Sequence, residues 1–145
     1  MSDAVNGTTS ACDNACDNAS ASGDLAILLL DGGYERAHYA LVLAASGLAL
    51  GRSVVLFAAG RGVHALARDW RGLRDVRQDA EMAARGVATF ATLRDAVVEL
   101  ECTLLACEAG LRLCGLGHEA LLPSVRVAGV PTFLDAARGR QVITL

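Results

Sequence analysis

The chain has 145 residues, which fits a single domain with one hydrophobic core. Hydrophobic residues make up 53% of it and aromatic residues only 4%, so we expect a core of Ala, Leu and Val. A formal charge of −3 offers no excess positive charge for a nucleic acid or an anionic membrane, and the absence of Lys excludes lysine-based catalysis.

Residues 1–24 are rich in Ser, Asn, Asp and Ala and contain the tandem repeat ACDNACDN. This composition predicts a flexible tail that the fold does not need. Cys12 and Cys16 have a C-x3-C spacing without the second pair of a zinc site, so we interpret them as solvated thiols and predict no metal. The segment lacks the features of a secretory signal, and residues 40–50, the longest apolar run, are too few to span a membrane. A cytoplasmic protein is expected.

From Leu25 onward, short apolar runs alternate with longer segments of helical pattern. The predicted elements, in chain order, are a strand over 25–30, a helix over 35–50, a strand over 53–57, a short helix over 63–67, an irregular surface segment over 68–79 with Trp70, a helix over 92–100 capped by Thr89 or Thr92, a strand over 102–106, a helix over 108–114, a strand over 125–127, a helix over 130–137 and a strand over 141–145. This alternation predicts a three-layer α/β/α domain over 25–145, with a mostly parallel sheet of about five strands.

The loops after the strands are the candidate ligand sites, because ligands of parallel sheets bind beyond the carboxyl ends of the strands. Those positions hold Asp31-Gly32-Gly33, Gly60-Arg61-Gly62, Cys107-Glu108 and Ala128-Gly129. Gly60 and Gly62 could let the backbone approach an anion that Arg61 would bind, or the loop is a simple turn with a solvated Arg. The glycine patterns of nucleotide sites do not follow any strand.

Cys107 is the only cysteine among these post-strand positions. At a helix N-terminus, unpaired N–H groups would favour its thiolate and make it a nucleophile, whereas Glu108 would oppose ionisation. The other interpretation is a small buried apolar residue. Cys114 lies seven residues later, roughly 10 Å along the same helix face, and is either a packing residue or a resolving thiol. Cys102, inside the apolar strand, is predicted to belong to the core.

His38 falls in the first turn of the first predicted helix, near the same edge of the sheet. It could supply a proton or polarise a ligand there, or it is an ordinary surface histidine. His64 and His118 have no partner that the sequence identifies, and no metal-ligand spacing is present.

Three stretches resemble a known family: ERAHYALVLAASGLALGRSVVLFAAGRGVHAL, LLACEAGLRLCGL and VRVAGVPTFLDAARGRQVITL. They are similar to the opening half, the cysteine segment and the closing helix and strand of the DsrE/DsrF-like sulfur-relay family, over nearly all of Leu25 to Leu145. The resemblance implies a persulfide carrier with Cys107 as the acceptor and no organic cofactor. It also implies sulfur donor and acceptor proteins as partners, and a homo-oligomer that is a trimer or its multiple.

Two hypotheses for the function follow. The first is a sulfurtransferase-type carrier in which Arg61 and the helix N-terminus stabilise the anionic sulfur of Cys107. The second is a non-catalytic oligomeric module that binds a small anion or metabolite in the strand-end crevice, with binding that survives Cys107→Ser. Self-association is expected on either hypothesis, because the helix over 37–50 is apolar on nearly every side.

Overall fold

The computed structural model describes residues 23–145, so Cys12, Cys16 and nearly all of the predicted tail lie outside the described residues. Five strands form one sheet in the order β4-β3-β2-β1-β5, and every neighbouring pair is parallel. The strands are β1 (Leu25–Leu29), β2 (Val54–Ala58), β3 (Thr103–Cys107), β4 (Val125–Ala128) and β5 (Gln141–Thr144). The predicted α/β fold with a parallel sheet is confirmed.

The strands alternate with helices that cover both faces of the sheet. The α-helices are α1 (Tyr34–Ala49), α2 (Gln78–Ala84), α3 (Phe90–Glu99), α4 (Glu108–Cys114) and α5 (Val130–Ala136), and 3-10 helices span Gly60–Leu66, Trp70–Gly72 and His118–Ala120. The connections from β1 to β4 run in one direction along the sheet, and the connection through α5 runs back. Because crossovers are right-handed, α5 lies on the opposite face from α1 and α3.

Two apolar clusters fill the space on the two sides of the sheet, as the alternation of side chains in strands requires. The larger cluster includes Leu56 and Leu104 and packs against α1 and α3. The smaller one, here called the α5 cluster, contains Val55, Phe57, Leu105, Cys107, Ala128 and Phe133. Phe133 of α5 stacks on Phe57 with ring centroids 4.8 Å apart, which fixes the helix over the middle of the sheet.

The segment over 68–79 is largely irregular and exposed, as predicted, but it differs from the prediction in two respects. Trp70 packs against the rings of Tyr34 and Phe90, at centroid distances of 6.0 and 4.8 Å. The helix α2 begins at Gln78, and its Asp79 carboxylate accepts hydrogen bonds from the Tyr34 hydroxyl (2.6 Å) and the Phe90 amide (2.7 Å). The segment therefore closes over an aromatic cluster.

The structure also defines where α3 begins and where the folded domain begins. Thr89 caps α3, since its hydroxyl accepts a hydrogen bond from the Thr92 amide at 3.3 Å. Asp24, placed in the tail by composition, is tied to the sheet: its carboxylate accepts from the Ser53 amide at 3.0 Å and its carbonyl from the Gln141 amide at 3.0 Å. Within residues 23–145, no helix is long and apolar enough to cross a membrane.

Candidate functional site

The loop after β1 is closed by the chain's own polar groups. The Asp31 carboxylate accepts hydrogen bonds from the Gly33 amide and from the Arg74 guanidinium (2.7 Å), and the Tyr34 amide donates to the Arg74 carbonyl (3.0 Å). The Gly33 N–H, helped by Arg74 and Arg36, holds the pKa of Asp31 below its ordinary value. Two of the amides at the start of α1, those of Gly33 and Tyr34, are thus already occupied by groups of the chain, which argues against a nucleotide site at this loop.

The Gly60-Arg61-Gly62 loop packs tightly between its neighbours. Gly60 has a φ of +52°, and a Cβ on Gly62 would lie 2.5 Å from the Leu29 carbonyl oxygen. A Cβ on Gly32 would lie 2.7 Å from the Cβ of Arg61, so this Arg is beside the β1 loop. The glycines are therefore explained by close backbone packing. The Arg61 side chain is exposed and has no hydrogen bond or ion pair with another residue of the described range.

Cys107 is the last residue of β3 and the residue that precedes α4. It pairs with Ala128 in the sheet, is 7% exposed, and belongs to the α5 cluster with Phe133. Its side chain does not cap α4 with a hydrogen bond. The structure therefore places the thiol at the carboxyl edge, as the sequence predicts, but its side chain packs in the α5 cluster and makes no hydrogen bond with the first-turn amides of α4.

The other two described cysteines lie elsewhere. Cys114 packs against the larger cluster, and its Sγ lies 3.8 Å from the Gly60 carbonyl oxygen, as an S–H donor to it. Cys107 and Cys114 thus belong to opposite faces of the sheet and do not form a dithiol pair. Cys102 is buried at the amino end of β3, donates to the Val54 carbonyl at 3.5 Å, and has its pKa raised to about 12 by burial.

Glu108 does not turn toward the cysteine that precedes it. Its carboxylate pairs with the Arg112 guanidinium at 2.7 Å, one helical turn further along the exposed side of α4. This ion pair reduces the local negative charge beside Cys107.

His38 is a core residue, so its interpretation as a surface histidine is wrong. It is 4% exposed, packs on the Tyr34 ring with centroids 5.6 Å apart, and has its Nε2 2.8 Å from the Ala88 carbonyl oxygen. Because a carbonyl only accepts, Nε2 carries a proton and donates it. His38 thus fastens the segment before α3 to α1. No group of three His, Cys, Asp or Glu side chains in residues 23–145 could hold a metal ion.

A cavity of about 270 Å³ lies between the ends of β1 and β5, lined by Leu30, Asp31, Arg36, Thr144 and Leu145. The sequence analysis does not identify Arg36 or Thr144. They come together only because β5 pairs with β1, which no local pattern of the sequence shows. A larger groove of about 400 Å³ runs along α2, and none of the strand-end loops lines it.

Comparison with known proteins supports the fold. The crystal structure of the ychN protein from E. coli superposes with a TM-score of 0.61 at 14% identity, over 84% of this chain and 99% of that one. The protein of unknown function MTH1491 from Methanobacterium thermoautotrophicum gives a TM-score of 0.49 at 20% identity, with the same coverage of 84% and 99%. No family model and no curated protein matches the chain. At such identities the ychN likeness shows a shared fold, and the function must be argued from the site.

Proposed function

We propose that the protein is a cytoplasmic sulfur-transfer protein that carries a persulfide on Cys107. The observation that supports this most is that Cys107 alone, among the three described cysteines, ends a strand at the carboxyl edge of the sheet. Cys102 is buried at the other end of the same strand, and Cys114 packs on the opposite face. The resemblance to the DsrE/DsrF-like family and the ychN fold are consistent with this function.

The transfer would proceed in two displacements without net oxidation. The Cys107 thiolate attacks the outer sulfur of a donor persulfide, so that a new S–S bond forms on Cys107, the donor S–S bond breaks, and the donor leaves as a thiolate. An acceptor thiolate then attacks the outer sulfur of the Cys107 persulfide and releases the Cys107 thiolate. Each step moves one sulfur atom and conserves charge, so the chemistry needs no cofactor.

The surroundings of Cys107 suit a carrier. The residue is 7% exposed and is flanked by Ala128 and Phe133, so its sulfur is largely shielded from water. Shielding would protect a persulfide between the two displacements. It would also require the donor to present its sulfur on a thin group, such as a flexible persulfide-bearing side chain, at the strand edge.

Mass spectrometry of the intact protein tests this function. After incubation with a sulfane-sulfur donor, the chain should gain one sulfur atom that maps to Cys107, and Cys107→Ser should abolish the gain. Cys12→Ser and Cys16→Ser are combined in every variant to remove the background of those thiols, and Cys114→Ser is the matched control that should retain uptake. Undiminished uptake in Cys107→Ser would rule out the carrier mechanism.

We further propose that the chain forms a homo-oligomer, a trimer or its multiple as the family resemblance implies. The outward side of α1 and its C-terminal end present Tyr39 and Leu50, which are 55% and 73% exposed, and such large apolar side chains favour association. Light scattering at micromolar concentration should therefore give a mass several times that of one chain. A monomer throughout that range would contradict this proposal.

A further inference from the structure

The crevice between β1 and β5 occupies a special position in the sheet. The strand order runs from β4 to β1 in steps of one neighbour, and β5 then joins on the far side of β1. The two strands pair Leu28 with Thr144, and the Leu30 amide donates to the Leu145 carbonyl at 2.8 Å. A cavity of about 270 Å³ opens at the carboxyl ends of these two strands, which is where ligands of parallel sheets bind.

The charges that line the crevice leave one guanidinium available. The Asp31 carboxylate is held by the Gly33 amide and Arg74, and the Leu145 carbonyl accepts from the amides of Leu30 and Asp31 at 2.8 and 3.4 Å. The Arg36 side chain is exposed and forms no hydrogen bond or ion pair with any residue in 23–145. Arg36 acts on Asp31 only through its charge, without a hydrogen bond or ion pair, so its N–H groups are available to an anionic ligand.

We propose that this crevice binds a small organic carboxylate with a short apolar chain. The Arg36 guanidinium binds the carboxylate, the Thr144 hydroxyl donates a second hydrogen bond, and Leu30, which is 55% exposed, contacts the apolar chain. A single unpaired guanidinium matches a singly charged group better than a phosphate, because the Tyr34 amide at the start of α1 is already used by Arg74. The cavity, of about 270 Å³, lies just below the usual range of ligand pockets and has room for a small ligand of this kind.

This site is separate from Cys107 and does not depend on sulfur transfer. β3 lies two strands away from β1, which is roughly 10 Å in a sheet of ordinary spacing. Cys107→Ser should therefore leave ligand binding unchanged, so that the carrier proposal and this one can fail independently.

Butyrate is the probe for the test, in an NMR titration of the amide signals of the full chain. We expect saturable shifts at Leu30, Arg36 and Thr144, and a loss of affinity of about tenfold or more in Arg36→Gln, since one charge-assisted hydrogen-bonding group is removed. Leu30→Ser should weaken butyrate more than acetate, because it removes the contact with the apolar chain. Arg61→Gln is the matched control, an exposed Arg at the same edge that does not line the cavity, and it should retain wild-type affinity.

Several outcomes would overturn the proposal. They are shifts that do not saturate, unchanged affinity in Arg36→Gln, an equal loss in Arg61→Gln, or phosphate binding tighter than butyrate at the same signals. The Arg36 side chain is solvent-exposed, so Arg36→Gln should fold, and its dispersed amide spectrum verifies this in the same experiment.

Discussion

Asp79→Ala is expected to lower the free energy of unfolding by about 2–4 kcal/mol, a large effect for a residue on a seven-residue surface helix. The Asp79 carboxylate accepts two hydrogen bonds, from the Tyr34 hydroxyl at 2.6 Å and from the Phe90 amide at 2.7 Å. Hydrogen bonds to a charged acceptor contribute about 1.5–3 kcal/mol each, and a donor left buried without a partner adds a penalty. Tyr34 is fully buried, so its hydroxyl has no access to water as a substitute.

The destabilisation in Asp79→Ala should extend beyond these two hydrogen bonds, because Asp79 joins three helices. It links α2 to the first turn of α1 and to the first residue of α3, and Trp70 packs on both of the aromatic residues involved. Burial and Asp79 raise the pKa of Tyr34, so its hydroxyl remains a donor throughout the ordinary pH range. Loss of the carboxylate should therefore loosen the whole segment between β2 and α3.

Urea denaturation followed by the fluorescence of Trp70, the only tryptophan of the chain, measures this effect. Glu81→Ala is the matched control, an exposed carboxylate on the same helix with no hydrogen bond or ion pair in the described range, and it should cost less than about 0.5 kcal/mol. Tyr34→Phe completes a double-mutant cycle that isolates the hydroxyl–carboxylate term. A loss in Asp79→Ala no greater than in Glu81→Ala would show that the segment is held by apolar packing alone.

This segment also shows where prediction from sequence stops. The apolar runs predict all five strands, because a strand buried on both faces of a sheet must consist almost entirely of apolar residues. The contacts of Asp79 join residues 45 and 11 positions apart, and a polar, charge-dense stretch gives no local sign of such partners. The same holds for His38, whose burial depends on a carbonyl 50 residues away.

The prediction that Cys107 and Cys114 share one face of a helix is wrong for a geometric reason. Counting seven residues from Cys107 to Cys114 as helical turns places the thiols on one face. Cys107, however, has extended backbone angles, φ −68° and ψ 125°, because it precedes the helix, so its side chain follows the alternation of β3. The sequence thus predicts the position of Cys107 along the chain but not the face of the sheet that its sulfur occupies.

The loops illustrate a third limit. Glycines after a strand predict either an anion site or close packing, and the choice depends on which backbone lies opposite. At Gly62 the Leu29 carbonyl lies opposite, so packing explains the glycine. Arg61 and Arg36 are both exposed without a partner in residues 23–145, but only Arg36, on the first turn of α1, lines a cavity. That cavity exists because β5 lies beside β1.

Cys102 is expected to resist alkylation in the folded protein far more strongly than Cys114. Burial raises the pKa of the Cys102 thiol to about 12. A backbone hydrogen bond of Leu56 lowers this pKa, but its effect is smaller than that of burial. At pH 8 a thiol with that pKa is ionised in about one molecule in ten thousand, whereas an ordinary thiol of pKa ~8.5 is ionised in about a quarter. Only the thiolate reacts, so ionisation alone should slow Cys102 by about a thousandfold.

The raised pKa of Cys102 also makes the stability of the fold depend on pH. A thiol whose pKa is raised in the folded state favours folding while it stays protonated, so this contribution is complete below the ordinary value of about 8.5. It is lost as the pH rises from there toward 12. The unfolding midpoint should therefore fall at high pH, and Cys102→Ala should reduce that part of the fall.

Peptide mapping after timed alkylation, at a series of pH values, follows each cysteine separately. The Cys102 rate should rise about tenfold per pH unit up to the onset of unfolding, and in urea it should become equal to that of the other thiols. Cys107 is the informative comparison, because it has the same 7% exposure as Cys102 but lies at the opposite end of β3. If Cys107 accepts sulfur, it must be alkylated in the folded protein much faster than Cys102. Equal protection of the two would mean that burial in the sheet, and not position at its carboxyl edge, governs both thiols.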